Sequence, residues 1–244
     1  MGNKLSSKKK SKKEPKLPGE GKHVAVLLAG CGVYDGSECT EAVSVILHLE
    51  RNGCTFDAFA PDKDMAHTVD HTKGEASEDP VRNVMVESSR ISRGSIKDLS
   101  EFDVSRYNGL VIPGGFGAAK NLCTYAIDGV DNYEIDDGVR KMILDCIESR
   151  TVIGLACISP MLLPKVMNGI KFTVGKSEGE EFPHAGTVAD AIKLGANHTE
   201  CDNDDVVVDE DNMIVTAPAF MKDAGYFPVF NNIGQMIDKV VTMM

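Results

Sequence analysis

Three short segments of this chain carry residues whose types and spacing fit nucleophilic chemistry. In Thr151-Val-Ile-Gly-Leu-Ala-Cys157-Ile-Ser-Pro160, an apolar run suited to a buried strand ends in a cysteine, and a helix is expected to start near Pro160. A strand-to-helix corner lifts the cysteine above the sheet edge and aims its thiol at free backbone N–H groups, which favour an anion. Cys157 is therefore expected to be a reactive thiolate and the most reactive thiol of the folded chain; the alternative is a small buried core cysteine. In Leu110-Val-Ile-Pro-Gly-Gly115-Phe-Gly-Ala-Ala-Lys-Asn121 a short apolar run ends in glycines. Glycine lets the backbone approach a ligand with its N–H groups exposed, so Gly114 and Gly115 are candidates for an oxyanion pocket. In Val24–Val43 a strand passes through a glycine-rich loop into a helix with Glu38 and Glu41 at its start. Carboxylates in a first turn ordinarily complement the helix dipole, which is the alternative for each of these two.

The elements that must bring these segments together follow from the pattern. Val24–Leu28 is an apolar run, Glu38–Asn52 a helix closed by Gly53, and Thr55–Ala60 a second strand. Val81–Ile91 fits a short helix and Gly109–Ile112 a strand, while Val139, Met142, Ile143, Cys146 and Ile147 form a helical stripe that feeds the strand ending at Cys157. Val206–Val208 and Met213–Thr216 flank a turn at Asp209–Asn212, a hairpin signal for a sheet edge, and Val229, Ile233, Met236, Ile237 and Val240 mark a closing helix. This alternation implies an α/β fold, an open, mostly parallel sheet with helices on both faces, in a single domain. Ligands of such sheets bind beyond the carboxyl ends of the strands, where the loops bearing Glu41, Gly114 and Cys157 all leave.

Composition narrows the function. Residues 1–22 hold eight lysines and two glutamates, so residues 23–244 carry −17 of the total −11. An acidic domain is a poor match for phosphate, and no nucleic-acid partner is expected. The seven cysteines are odd in number and lack C-x-x-C spacing, which fits a reducing compartment and suggests no metal site. No apolar stretch reaches the length of a membrane span. The loop Gly30-Cys-Gly32-Val-Tyr-Asp35 fails the dinucleotide pattern, because Asp35 stands where the third glycine belongs. Residues 1–22 are expected to be a disordered tail and 23–244 the domain. Within the tail, Met1-Gly2-Asn3-Lys4-Leu5-Ser6 fits the myristoylation pattern at Gly2. The lysines after it would add attraction to an anionic membrane surface, against the alternative of a solubilising extension.

The three segments together, with Ala60-Pro-Asp-Lys63, His71 near Gly74-Glu75, Arg82-Asn83, and Val208–Asn212 with Thr216–Ala219, resemble the isoprenoid-biosynthesis glyoxalase family also called enhancing lycopene biosynthesis proteins. The resemblance runs over residues 23–244. The Lys176–Gly186 stretch is similar to the eukaryotic branch. That family sits in the class I glutamine amidotransferase-like superfamily with the PfpI-type proteases and the parkinsonism-associated deglycase, which implies a flavodoxin-like fold. The resemblance implies Cys157 as nucleophile with Glu41 against its sulfur, Glu38 second. The histidine that hydrolytic members carry after the cysteine is replaced by Ile158, and Gly175 stands where some glyoxalase relatives place one, leaving His71 as a secondary candidate. The implied activity is a weak, cofactor-independent, glyoxalase III-like conversion of small aldehydes such as glyoxal to 2-hydroxy acids, with Gly115 and Ile158 N–H groups holding the oxyanion. The rivals are a non-catalytic or redox-sensing cysteine protein and, disfavoured by the missing histidine, a glutaminase-type amidotransferase. A homo-oligomer is implied. The expected location is the cytoplasm, with membrane association through Gly2; family members in mitochondria supply the alternative.

Overall fold

A computed structural model describes residues 16–77 and 80–244. Gly2 and the lysine run after it lie outside the described residues. The chain forms β1 (His23–Leu27), α1 (Cys39–Arg51) and β2 (Thr55–Ala60), then a small hairpin of β3 (Val69–Asp70) and β4 (Glu75–Ala76). Next come α2 (Val84–Ile91), β5 (Lys97–Asp98), β6 (Gly109–Ile112), α3 (Phe116–Lys120), α4 (Tyr125–Asn132), α5 (Asp137–Glu148) and β7 (Val152–Ala156). The last third holds β8 (Lys171–Phe172), α6 (Gly186–Lys193), β9 (Asn197–His198), β10 (Val207–Asp209), β11 (Ile214–Ala217) and α7 (Tyr226–Met243).

Seven strands form the main sheet in the order β10-β11-β7-β6-β1-β2-β5, parallel except for β10. The central strands β6 and β7 are buried along their whole length, as the uninterrupted apolar runs of a doubly covered sheet require. From β1 the chain steps through α1 to β2 in one direction, and from β6 through α5 to β7 in the other. Right-handed crossovers then put α1 and α5 on opposite faces and open a crevice at the carboxyl ends of β1 and β6. The stripe on α5 is buried at Val139, Met142, Ile143 and Cys146, and Val229, Ile233, Met236, Ile237 and Val240 of α7 are fully covered. The hairpin read at Asp209–Asn212 pairs β10 with β11 at the sheet edge.

Two expectations need correcting. Residues 17–22, assigned to the tail, are docked on the domain: the Gly19 N–H donates to the Asn52 carbonyl at 2.8 Å, the Lys22 carbonyl accepts from the Thr55 N–H at 3.0 Å, and Lys22 Nζ reaches the Met244 carbonyl at 2.7 Å. The helix expected near Pro160 is a 3-10 segment, Ser159–Lys165, with Pro164 inside it. Pro164 has no N–H and its ring crowds the preceding turn, so an α-helix does not propagate there.

Candidate active site

Cys157 follows β7 directly and adopts φ 60°, a left-handed conformation that a residue with a side chain holds only when its surroundings impose it. Its N–H donates to the Ala217 carbonyl at 2.9 Å, which pins the corner to β11. From below, the buried Ser159 hydroxyl accepts the Ala156 N–H at 3.0 Å and lies 2.9 Å from the Ile112 carbonyl and 2.8 Å from that of Ala156. Ser159 thus clamps the ends of β6 and β7 side by side.

Opposite the corner, the Gly114 N–H donates to Glu41 Oε2 at 2.7 Å, and the Gly114 carbonyl accepts from the Glu38 N–H at 3.0 Å. A Cβ on Gly114 would stand 2.3 Å from the Cys157 Cβ, so only glycine admits this approach. Glu41 is fully buried; its Oε1 accepts from the Phe220 N–H at 3.3 Å, and its Oε2 and the Cys157 sulfur both close on Gly114, within 3 Å of where a Gly114 Cβ would stand. Glu38 caps α1, accepting from the Glu41 N–H at 2.7 Å, and lines the cavity.

The electrostatics reverse one expectation. Burial, then the negative charge of Glu38, pushes the Glu41 carboxyl up to about 8, although the N–H groups of Gly114 and Phe220 oppose this. Burial and the neighbouring Glu41 push the Cys157 thiol well above its ordinary value, against the N–H groups of Gly115 and Ile158 that point at the sulfur. Two anions cannot share one dry pocket, so the resting pair is a neutral thiol beside a carboxyl that is mostly protonated at pH 7. The thiolate expected of a helix N-terminus is opposed here, because a 3-10 segment replaces the helix and burial works against the two N–H donors.

Gly115 keeps its candidacy as an oxyanion donor, and with Ile158 supplies the two N–H groups beside the sulfur. Gly114 does not: its N–H is committed to Glu41. His71 is also removed from the site. It lies beneath the glycine-rich loop, where Nε2 accepts the Tyr34 N–H at 3.2 Å and Nδ1 lies 3.1 Å from the Val69 carbonyl.

Cys157 opens into a cavity of about 360 Å³. Val33, Phe116, Ile158 and Phe220 give it apolar walls, and the Tyr125 hydroxyl donates to Asp190 at 2.6 Å on one side. His184 also lines it, edge-on to Phe116 with ring centroids 6.0 Å apart. Sequence reasoning missed this histidine, which lies in an irregular stretch before α6; Phe-Pro-His beside a helix start was the available signal. Among the described residues, no group of three or more His, Cys, Asp or Glu side chains is arranged to hold a metal ion.

A parallel sheet with a strained cysteine at a strand end and a buried glutamate against its sulfur defines a class I glutamine amidotransferase-like protein. No family model matches the chain. It is 43% identical over 230 residues to the human "Glutamine amidotransferase-like class 1 domain-containing protein 3, mitochondrial", covering 93% of this chain and 85% of that protein. It is 44% identical over 223 residues to the rat "ES1 protein homolog, mitochondrial", covering 90% of this chain and 83% of that one. The chain belongs to this ES1 family of class I glutamine amidotransferase-like proteins. Among solved structures, the isoprenoid biosynthesis protein with amidotransferase-like domain from Ehrlichia chaffeensis superposes with a TM-score of 0.82 at 34% identity, over 91% of this chain and 99% of that one. Glyoxalase III from Candida albicans (TM-score 0.56, 15% identity) and Drosophila DJ-1beta (0.54, 15%) share the fold.

Proposed function

We propose that the chain is a cofactor-independent, glyoxalase-type enzyme for small neutral aldehydes, with Cys157 as nucleophile and Glu41 as proton carrier. The observation that carries this reading is the buried Glu41 carboxyl set against Cys157 across Gly114, at the base of an apolar cavity and flanked by the Gly115 and Ile158 N–H groups. Ionised Glu41 takes the thiol proton as the sulfur adds to one carbonyl of an α-oxo aldehyde, and the hemithioacetal oxygen accepts from the two N–H groups. A proton then moves from the carbon bearing sulfur to its neighbour, which turns the adduct into a 2-hydroxy thioester. Water cleaves the thioester, releasing the 2-hydroxy acid and restoring the thiol.

The cavity also sets the substrate class. Among the described residues, Glu38 and Asp190 line it and no lysine or arginine does, so a carboxylate- or phosphate-bearing aldehyde enters against repulsion while a neutral one does not. Its volume exceeds what glyoxal fills, which favours aldehydes with an apolar substituent. Steady-state turnover of glyoxal, methylglyoxal, phenylglyoxal and 4-carboxyphenylglyoxal by the full chain tests this. Phenylglyoxal should be turned over best and its carboxylate-bearing analogue worst, with Cys157→Ala inactive on all four; unchanged turnover in Cys157→Ala would end the proposal.

The relatives' names support the mitochondrial alternative and give nothing to the cytoplasmic one, so a mitochondrial site of action is part of the proposal. Anchoring through Gly2 and assembly as a homo-oligomer are proposed on sequence grounds only. An unmodified N-terminus by mass spectrometry would remove the first, and a monomer by light scattering the second.

A further inference from the structure

The loop after β1 builds a second thiol site, outside the cavity. The Gly32 N–H donates to the Ser37 carbonyl at 2.9 Å, the Gly36 N–H to the Gly32 carbonyl at 2.7 Å, and the Ser37 N–H to the Gly30 carbonyl at 3.2 Å. This folding brings Cys31 over Cys39, the first residue of α1, with their sulfurs 3.7 Å apart. Cys31 is half-buried and Cys39 exposed, whereas Cys54, Cys123, Cys146, Cys157 and Cys201 are all buried.

We propose that Cys31 and Cys39 are a reversible redox pair that closes a disulfide when a hydroperoxide is present. The Cys31 thiolate attacks the peroxide oxygen, becoming a sulfenic acid and releasing the alcohol or water that carries the other oxygen. The Cys39 sulfur then attacks the Cys31 sulfur, loses its proton, and expels water as the S–S bond forms. Two thiols lose two electrons and one peroxide gains them; an external dithiol reverses the step by exchange. Closing the bond brings the sulfurs to about 2.05 Å, a movement that one exposed cysteine side chain beside a loop can make.

The chemistry assigns the order of events. The hydrogen bond from Cys39 lowers the Cys31 thiol to about 7, outweighing burial and the charges of Glu87 and Asp35, with Arg90 adding a smaller pull downward. Cys39, the other partner of that bond, is pushed up by the bond itself, by burial and by the charges of Cys31, Glu38 and Asp35. Cys31 is the attacking thiol and Cys39 the resolving one.

The test uses the full chain with hydrogen peroxide at one equivalent, followed by intact mass, thiol titration and peptide mapping. Titratable thiols should fall from seven to five, the mass should drop by two hydrogens, and a Cys31–Cys39 cross-linked peptide should appear and vanish with dithiothreitol. Cys39→Ser should instead leave a sulfenic acid at Cys31 that dimedone traps, and Cys31→Ser should leave Cys39 unmodified. Oxygen accumulating on Cys31 of the unaltered chain while Cys39 stays free, a linkage between two chains, or first oxidation at Cys157 would each overturn the proposal.

Discussion

Two cysteine sites lie at the carboxyl ends of strands in one sheet, and they differ in how their surroundings treat a charge. At the end of β7, Cys157 is 8% exposed, lies against a buried carboxyl and is held as a neutral thiol despite two N–H donors. After β1, Cys31 is half-buried, shares a hydrogen bond with a second thiol and is lowered to about 7. A strained corner delivers a thiol to a substrate. It does not by itself ionise that thiol; hydration and the nearest proton donor do. The first site can react only when a bound aldehyde and Glu41 move the proton together, while the second is poised for any small oxidant in solution.

The largest effect expected from this difference is in labelling. With limiting iodoacetamide at pH 7, Cys31 should react on the order of tenfold faster than Cys157 or more, because its thiol is lowered to about 7 while burial and Glu41 push the Cys157 thiol well above its ordinary value. This reverses the order expected from the sequence. Faster modification of Cys157 in the native protein, read by peptide mapping, would mean that its N–H donors outweigh burial.

Glu41→Gln sharpens the contrast through stability. The folded carboxyl titrates near 8 and an unfolded one near 4.5, so between these values the folded chain holds a proton that the unfolded chain has lost. Stability contributed by this group is therefore full below about pH 4.5 and declines as pH rises towards 8, by up to about 1.4 kcal/mol per pH unit. Urea midpoints of the wild type relative to Glu41→Gln should fall from pH 5 to pH 8. A flat difference would show that Glu41 is ionised throughout.

The frame of the site was legible in the sequence because central parallel strands buried on both faces are continuous apolar runs, and β2, β6 and β11 each run directly into a proline. The convergence of Glu41, Gly115 and Cys157 followed, since their loops leave the same sheet edge. Protonation was not legible, because burial is set by residues such as Phe220 and Ile112 that lie far from Cys157 in the chain. Nor was the commitment of the Gly114 N–H, which depends on where Glu41 Oε2 ends its reach. The 3-10 segment after Cys157 was readable from Pro164. His184 was marked only by Phe-Pro-His beside a helix start, because the stretch between the two-residue β8 and α6 has no periodicity.

A smaller effect separates the corner from its chemistry. Ser159→Ala removes the acceptor of the Ala156 N–H and a donor to the Ile112 or Ala156 carbonyl, all buried, and should cost about 1–3 kcal/mol in chemical denaturation. Turnover per folded molecule should fall too, because the left-handed turn at Cys157 loses its support. Lost stability with undiminished turnover would show that the sulfur is positioned by Ala217 and Glu41 alone.

The smallest effect expected is at His71, and it decides to which of the two sites that residue belongs. Its ring accepts the Tyr34 N–H through Nε2 and, as the tautomer this requires, donates through Nδ1 to the Val69 carbonyl, so it ties the loop bearing Cys31 to the β3–β4 hairpin. Asp35 Oδ1 lies 3.8 Å from Nε2 and accepts no hydrogen bond, while Asp35 Oδ2 accepts from the Val69 N–H at 2.7 Å, so the histidine and the aspartate brace one turn from two directions. His71→Ala removes one half-exposed hydrogen bond on each side and should cost about 1 kcal/mol of stability. It should change the labelling rate of Cys31 by loosening the turn that holds it over Cys39, yet leave aldehyde turnover within about twofold, an energy difference of about 0.4 kcal/mol. A tenfold loss of turnover in His71→Ala with Cys31 labelling unchanged would move His71 into the cavity's chemistry and break the division between the two sites.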